Sequence, residues 1–257
     1  MSQRKILVAL AIHYGGEWDK IYKALIEKRY LPDDVADAYI SSLKCNFITI
    51  LDSDYPEYLK EQRCPPFVLF YYGDISLIND PKKCLGVIGT REPTEIGINQ
   101  TSKIVSQLNK DIIVVSGLAK GIDAIAHLTS FKTNRRTVAV LGCGIENVYP
   151  VDNEELYSKF RKSKFNLIIS EYPGMTNPEM FHFPARNRLI AAFSSSVLVT
   201  EAKIQSGTMI TASFAVHYDR RVLCLPSNDY GNSGCNALIR EGAILVENAE
   251  QVNEFYE

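Results

Sequence analysis

No stretch of the sequence approaches the ~20 consecutive apolar residues that a membrane-spanning helix needs, so no such span is expected. The opening "MSQRKILVALAIHYGG" has two basic residues and an apolar run over 6–12. That run is short for a signal peptide, and no small-residue cleavage site comes after it, so it reads as a first amphipathic helix. A surplus of positive charge is also missing: 28 Lys and Arg stand against 30 Asp and Glu, a net charge of −2. The totals show no strongly basic surface, although a local cluster of cations would still hold a nucleic acid. Six cysteines (Cys45, Cys64, Cys84, Cys143, Cys224, Cys235) form no CxxC and no Cys/His ligand spacing. This argues against a structural zinc and for buried, reduced thiols in a cytoplasmic protein. No metal and no cofactor are expected. Internal repeats and low-complexity tracts are absent as well.

What is present is an ordinary globular composition, 46% hydrophobic and 23% charged over 257 residues. A chain of that length buries roughly 70–75% of its unfolded surface. Residues 5–43 show helical spacing in "DKIYKALIEKRYL" and "DDVADAYISSL", with Asp33 and Asp34 in the N-cap region after Pro32. A small helical domain is expected over 1–43. Residues 44–82 are rich in aromatic and β-branched residues, broken by Pro65 and Pro66, and read as a connector that adds strand to the next domain. From residue 83, apolar runs at 85–88, 112–116, 137–141, 167–170, 197–200, 222–225 and 244–246 alternate with helical patterns. Such alternation predicts an α/β fold: a doubly wound, mainly parallel, extended Rossmann-like sheet over 44–257, covered on both faces, with right-handed crossovers.

In such a sheet, ligands bind beyond the carboxyl ends of the strands. The chain brings Gly89, Thr90 and Arg91 to that edge, then Ser116, Gly117, Lys120 and Gly121, then Gly142 and Gly144. Later strands add Glu171, the segment "FHFPARNR", and Glu201, Lys203, Ser206, Gly207 and Thr208. Glycine at a strand-to-helix turn lets backbone N–H groups approach an anion, and the helix dipole favours negative charge there. Four such turns with Arg91, Lys120, Arg186 or Arg188, and Lys203 predict a phosphate-binding trough. "GLAKGID" is no Walker A loop, and no turn spells GxGxxG with an acidic residue at the required distance. The trough therefore reads as built for phosphates as such. Asp123 and His127, at i and i+4, read as a local ion pair or hydrogen bond, with a catalytic dyad as the alternative. Glu171 and Glu201 either flank a substrate or clamp an arginine. Arg186 and Arg188 are roughly 200° apart on a helix, so one is expected on the ligand and the other on a carboxylate. Phe181 and Phe183 read as core, with base stacking the alternative beside a cationic loop.

The motifs "GVIGTREPTEIG", "VSGLAKGIDAIAH", "VAVLGCGIENVYP", "SEYPG", "HFPARNRLIA", "EAKIQSGTMITA" and "GCNALIREGA" come one after another in this order. Together with "DSDYPEYLKE" and "PPFVLFYYGD", they resemble the DNA-processing protein A family (DprA, also called Smf) over about residues 45–247. The helical start resembles that family's sterile-alpha-motif-like domain. The resemblance implies a protein that binds single-stranded DNA, protects it during natural transformation and loads RecA recombinase; no catalytic turnover is expected, because the candidate carboxylates and Asp123 and His127 have better structural readings. Arg91 and Lys120 match the family's phosphate-contacting positions, and Phe183 and the arginines of "HFPARNR" fit its strand-binding segment. Many members carry a further winged-helix domain, which is not expected here. The alternative is a nucleotide-binding or nucleotide N-glycoside-hydrolysing protein of a related superfamily, the phosphoribohydrolases, which use a "PGGxGTxxE" turn; "EAKIQSGTMIT" lacks its glycine pair and its glutamate, which leaves nucleotide binding without catalysis as the remaining form of that alternative. A homodimer is expected through Leu238, Ile239 and Leu245, because the strand at 244–246 is the last of the sheet and an edge needs cover. The alternative is that Val252, Phe255 and Tyr256 fold back over that edge.

Overall fold

The computed structural model describes residues 2–229 and 231–257. Helices α1 (Gln3–His13), α2 (Trp18–Ile26) and α3 (Asp33–Ser41) come first. Ser2 caps α1 by accepting from the Lys5 amide. At α3 the cap is Pro32, and Asp33 and Asp34 occupy the first turn, where their charge favours the helix dipole. The connector forms β1 (Asn46–Thr49), the short α4 (Glu57–Lys60) and β2 (Val68–Gly73). The alternating part is β3 (Cys84–Ile88), α5 (Glu95–Gln107), β4 (Ile113–Ser116), α6 (Ile122–Lys132), β5 (Thr137–Val140) and α7 (Glu154–Lys162). It continues through β6 (Leu167–Ser170), α8 (His182–Ala192), β7 (Ser196–Val199), α9 (Gly207–His217) and β8 (Arg221–Cys224). It ends with α10 (Gly234–Arg240), β9 (Ile244–Leu245) and α11 (Ala249–Asn253).

The nine strands of the described residues join one sheet in the order β1-β2-β6-β5-β4-β3-β7-β8-β9. The seven expected parallel strands, β3 to β9, all form, and every pairing among them is parallel. The connector adds β2 antiparallel to β6, and β1 antiparallel to β2. The α/β, doubly wound architecture is thus present, with an antiparallel extension at one end.

Strand alternation divides the core between the two faces. Leu85, Val87 and Val114 pack under Ile104 and Val105 of α5 and Ile122 and Ala126 of α6. Cys84, Ile88, Val115 and Val140 face the other way, against Leu189 and Ile190 of α8 and Ala212 and Ala215 of α9. The N-terminal helices share this interior: Leu7, Val8, Leu10 and Ala11 of α1 cluster with Val68, Phe70, Leu141 and Phe160. Beside them the Trp18 indole N–H donates to the Pro65 carbonyl at 2.8 Å.

The C-terminal segment does fold back, but onto a face and not over the edge. Val252, Phe255 and Tyr256 join the cluster beneath α5, and the Tyr256 hydroxyl donates to the Cys84 carbonyl at 2.9 Å. Strand β9 keeps an open side, with Ile244 37% and Leu245 46% exposed. Leu238 is buried at 8% and belongs to the core, which corrects its expected place in an interface; Ile239 is half-buried beside it.

Asp123 and His127 do not bond each other, which corrects the local-pair reading. The Asp123 carboxylate accepts from the Gly117 and Ala119 amides at 3.0 and 3.4 Å. The His127 Nδ1 lies 2.7 Å from the Thr137 hydroxyl, and its ring stands edge-on to Phe160. Burial disfavours the imidazolium, with the nearby Arg186 acting the same way, and pushes the His127 pKa down to about 3. In the unfolded chain that pKa returns to about 6.5. Between those values only the unfolded chain takes up the proton, so stability falls as pH falls, by up to about 1.4 kcal/mol per pH unit. Urea denaturation at a series of pH values below about 6.5 should give a shallower pH dependence for His127→Gln than for the wild type. Equal dependences would refute the assignment.

Candidate nucleic-acid interface

Sheet order and chain order part company at β3. It lies between β4 and β7, so the connection leaving it runs to one side while the chain later returns on the other. The turns beyond β3 and β7 therefore open a crevice between them, the usual ligand position of such sheets. Three turns interlock at its floor. The Thr90 amide donates to the Glu201 carbonyl at 2.7 Å, and the Ile122 amide donates to the Thr90 carbonyl at 3.1 Å. Gly121 makes this possible: its φ is +77°, and a Cβ there would stand 2.3 Å from the Thr90 carbonyl oxygen.

Two adjoining hollows result. The larger, about 380 Å³, is lined by Gly89, Thr90, Arg91, Phe183, Arg186, Ser206, Gly207 and Thr208. The smaller, about 60 Å³, shares Arg91, Phe183 and Arg186 and adds Gly117, Lys120 and Tyr149. The exposed Arg91 guanidinium lies 5.5 Å from the centre of the Phe183 ring, a cation–π arrangement. At the larger hollow the N-terminus of α9 carries no side-chain cap, and the Ser206 hydroxyl instead donates to the Lys203 carbonyl at 2.8 Å. The first amides of α9 are left for an anion.

The remaining expected residues sit otherwise. Ser116 is fully buried and its hydroxyl donates to the Val87 carbonyl at 2.6 Å, so it shapes the turn without reaching the hollows. Gly117 is required by packing: a Cβ would lie 2.6 Å from the Arg186 guanidinium. Arg186 is 4% exposed and donates to the Gly117 and Val140 carbonyls, tying the turns after β4 and β5 together. Arg188 points away from the hollows and pairs with Glu171, so of the two arginines it is the one on a carboxylate. Burial pushes the Glu171 pKa up while Arg188 opposes that shift. Glu201 accepts from the Thr94 amide and hydroxyl, both at 3.0 Å, at the start of α5. Lys203 is exposed on the next loop, outside both hollows.

Lys120 carries a countercharge of its own. Its ammonium lies 2.8 Å from the Asp152 carboxylate, with both side chains more than half exposed. In the same turn the Asn153 side-chain amide donates to the Leu118 and Ala119 carbonyls at 2.9 and 3.1 Å. It also sets Tyr149, 41% exposed, 5.6 Å from the Phe183 ring. Sequence spacing does not bring Tyr149 and Asp152 to the site. Both come several residues after the "GCG" turn, and only the path of the loop brings them back.

The sequence profile described as DNA recombination-mediator protein A matches residues 46–257. The chain belongs to this family. It is 38% identical over 233 residues to the DNA processing protein DprA of Streptococcus pneumoniae, covering 89% of this chain and 80% of that protein. It is 44% identical over 209 residues to Protein Smf of Synechocystis, covering 79% of this chain and 52% of that relative. The X-ray structure of the S. pneumoniae protein superposes with a TM-score of 0.83 at 32% identity, over 98% of this chain and 93% of the other. The Helicobacter pylori DNA processing protein A, described for its single-stranded DNA binding mode, superposes with a TM-score of 0.73 at 29% identity. That match covers 82% of this chain and 95% of the other.

The Lys120–Asp152 pair has a measurable consequence for any anion bound there. A phosphate must compete with Asp152 for the same ammonium. Asp152→Asn should therefore tighten binding of an oligonucleotide about two- to fivefold, the scale of an exposed ion pair. Filter binding at low and high salt checks this, and unchanged or weaker binding would remove Asp152 from the account.

Proposed function

We propose that the crevice at the β3–β7 switch binds single-stranded DNA, phosphates on Arg91, Lys120 and the α9 N-terminus, and a base on Phe183. The observation that carries this reading is the stacking of the Arg91 guanidinium over the half-exposed Phe183 ring between two hollows. A cation and an aromatic face side by side suit a strand whose bases are unpaired. Gly89, Thr90, Ser206, Gly207 and Thr208 line the path, and Lys203 adds charge beside it. The H. pylori relative, which is described for single-stranded DNA binding, supports the assignment. Turnover is not part of it: Glu201 is held by Thr94 and Glu171 by Arg188, so neither carboxylate stands ready for acid–base work. Within the DNA-processing role implied by the family, the protein would act in the cytoplasm, shield incoming strands and hand them to RecA recombinase. No helix of the described residues is long and apolar enough to cross a membrane.

Oligothymidine should bind more tightly than duplex of equal length, with log affinity falling linearly in log salt at ~0.7 per phosphate neutralised. Arg91→Glu should weaken binding more than about tenfold, or 1.4 kcal/mol, at unchanged melting temperature. Preference for duplex, or full affinity in Arg91→Glu, would sink the proposal.

Pairing of two chains through the open side of β9 belongs to the same reading, with Ile244 and Leu245 as its apolar contacts and Ile239 beside them. Two troughs on one strand would raise avidity. Light scattering should show a dimer that Leu245→Glu dissociates, and a monomeric wild type at micromolar concentration would exclude it.

A further inference from the structure

A second cleft lies apart from the trough, beside the outer faces of α8 and α9. It has a volume of about 610 Å³ and is bounded by residues 16–19, the segment 63–64 and the two helices. That volume is within the roughly 300–1,000 Å³ of small-ligand sites. Its base holds the Glu171–Arg188 pair, whose side chains are only 8% and 11% exposed. One hydrogen bond joins them, from Arg188 Nη2 to Glu171 Oε1. Among the described residues nothing else bonds the second Glu171 oxygen or the other Arg188 donors. A buried ion pair is expensive unless its remaining donors and acceptors are met. Here they open onto the cleft.

The walls are aromatic. Tyr172 and Phe214 line the cleft, and Phe181 stands at its rim with 57% of its surface exposed. Phe181 and Phe183 lie two residues apart at the start of α8 and serve opposite sides: Phe183 the trough, Phe181 this cleft. Arg63 lies at the mouth and has no ion-pair partner among the described residues.

The geometry points to this cleft as a guanine-binding site, with the base on Phe181 and its polar edge on the Arg188–Glu171 pair. A guanidinium beside a carboxylate presents donors next to an acceptor. Guanine carries the complement, the O6 acceptor next to the N1–H and N2–H donors; its O6 and N7 are also the favoured partners of arginine. Adenine places a donor where Arg188 needs an acceptor. Arg63 is positioned for the phosphate of the same nucleotide. The base comes either from free guanine nucleotide or from a strand already in the trough.

Trp18 lines the cleft and is the only tryptophan of the chain, so its fluorescence reports occupancy. The full chain is titrated with GMP, AMP and TMP, and in parallel with oligothymidine with and without one internal guanine. GMP should give a saturable change at least about tenfold tighter than AMP or TMP. A response to both GMP and the guanine-containing oligonucleotide identifies the strand as the source; a response to GMP alone identifies the free nucleotide. Phe181→Ala, a change at an exposed ring, should weaken GMP about tenfold without moving the melting temperature or the affinity for oligothymidine. Glu171→Gln, where it folds, should erase the preference for GMP over AMP. Arg91→Glu should leave the GMP response intact, which separates this site from the trough. No saturable response to GMP, an equal response to AMP, or indifference to Phe181→Ala would each overturn the inference.

Discussion

Everything at the candidate interface depends on three backbone turns held to one another by amide–carbonyl bonds. The Thr90 amide reaches the Glu201 carbonyl and the Ile122 amide reaches the Thr90 carbonyl, so the turns after β3, β4 and β7 share one scaffold. Arg186 extends it to the turn after β5 by donating to the Gly117 and Val140 carbonyls. None of these bonds touches a ligand. They fix where Arg91, Lys120 and Phe183 stand relative to each other, and a site for an irregular polymer needs such fixed points more than it needs any single strong contact.

The electrostatics are more balanced than a phosphate-binding groove requires. Lys120 is matched by Asp152, Arg188 by Glu171, and Arg186 lies among carbonyl oxygens with Asp123 nearby. Arg91 remains without an ion pair among the described residues. This agrees with the net charge of −2. An aromatic ring beside that arginine supplies binding that salt does not screen, whereas the cationic part weakens with every released counterion.

The parallel strands were legible because burial on both faces makes them near-continuous apolar runs, as in "IIVVS" and "VAVLG". The crevice was legible for a related reason: glycine-rich turns with cations mark the carboxyl edge of such a sheet. Side-chain partners were harder. Helical geometry required Arg186 and Arg188 to diverge, but which of them meets a carboxylate depends on where Glu171 lies in the folded sheet. Ser116 reads as part of a phosphate loop, yet it is buried and its hydroxyl donates to the Val87 carbonyl of the neighbouring strand. Asp123 stood in the first turn of a helix, and its occupation of the Gly117 and Ala119 amides has no signature in spacing. Tyr149 and Asp152 reach the site only through the path of a loop.

The centre of the sheet and the last helix of the chain are far apart in sequence but touch in space. Leu85 and Val87 on β3 share a cluster with Val252, Phe255 and Tyr256, and the Asn253 side chain accepts from the Asn109 amide at 2.8 Å. During synthesis the central strand therefore leaves the ribosome long before its final cover exists. An apolar face stays open to other chains until residue 256 has emerged, so the nascent protein has a window for aggregation that the finished one lacks.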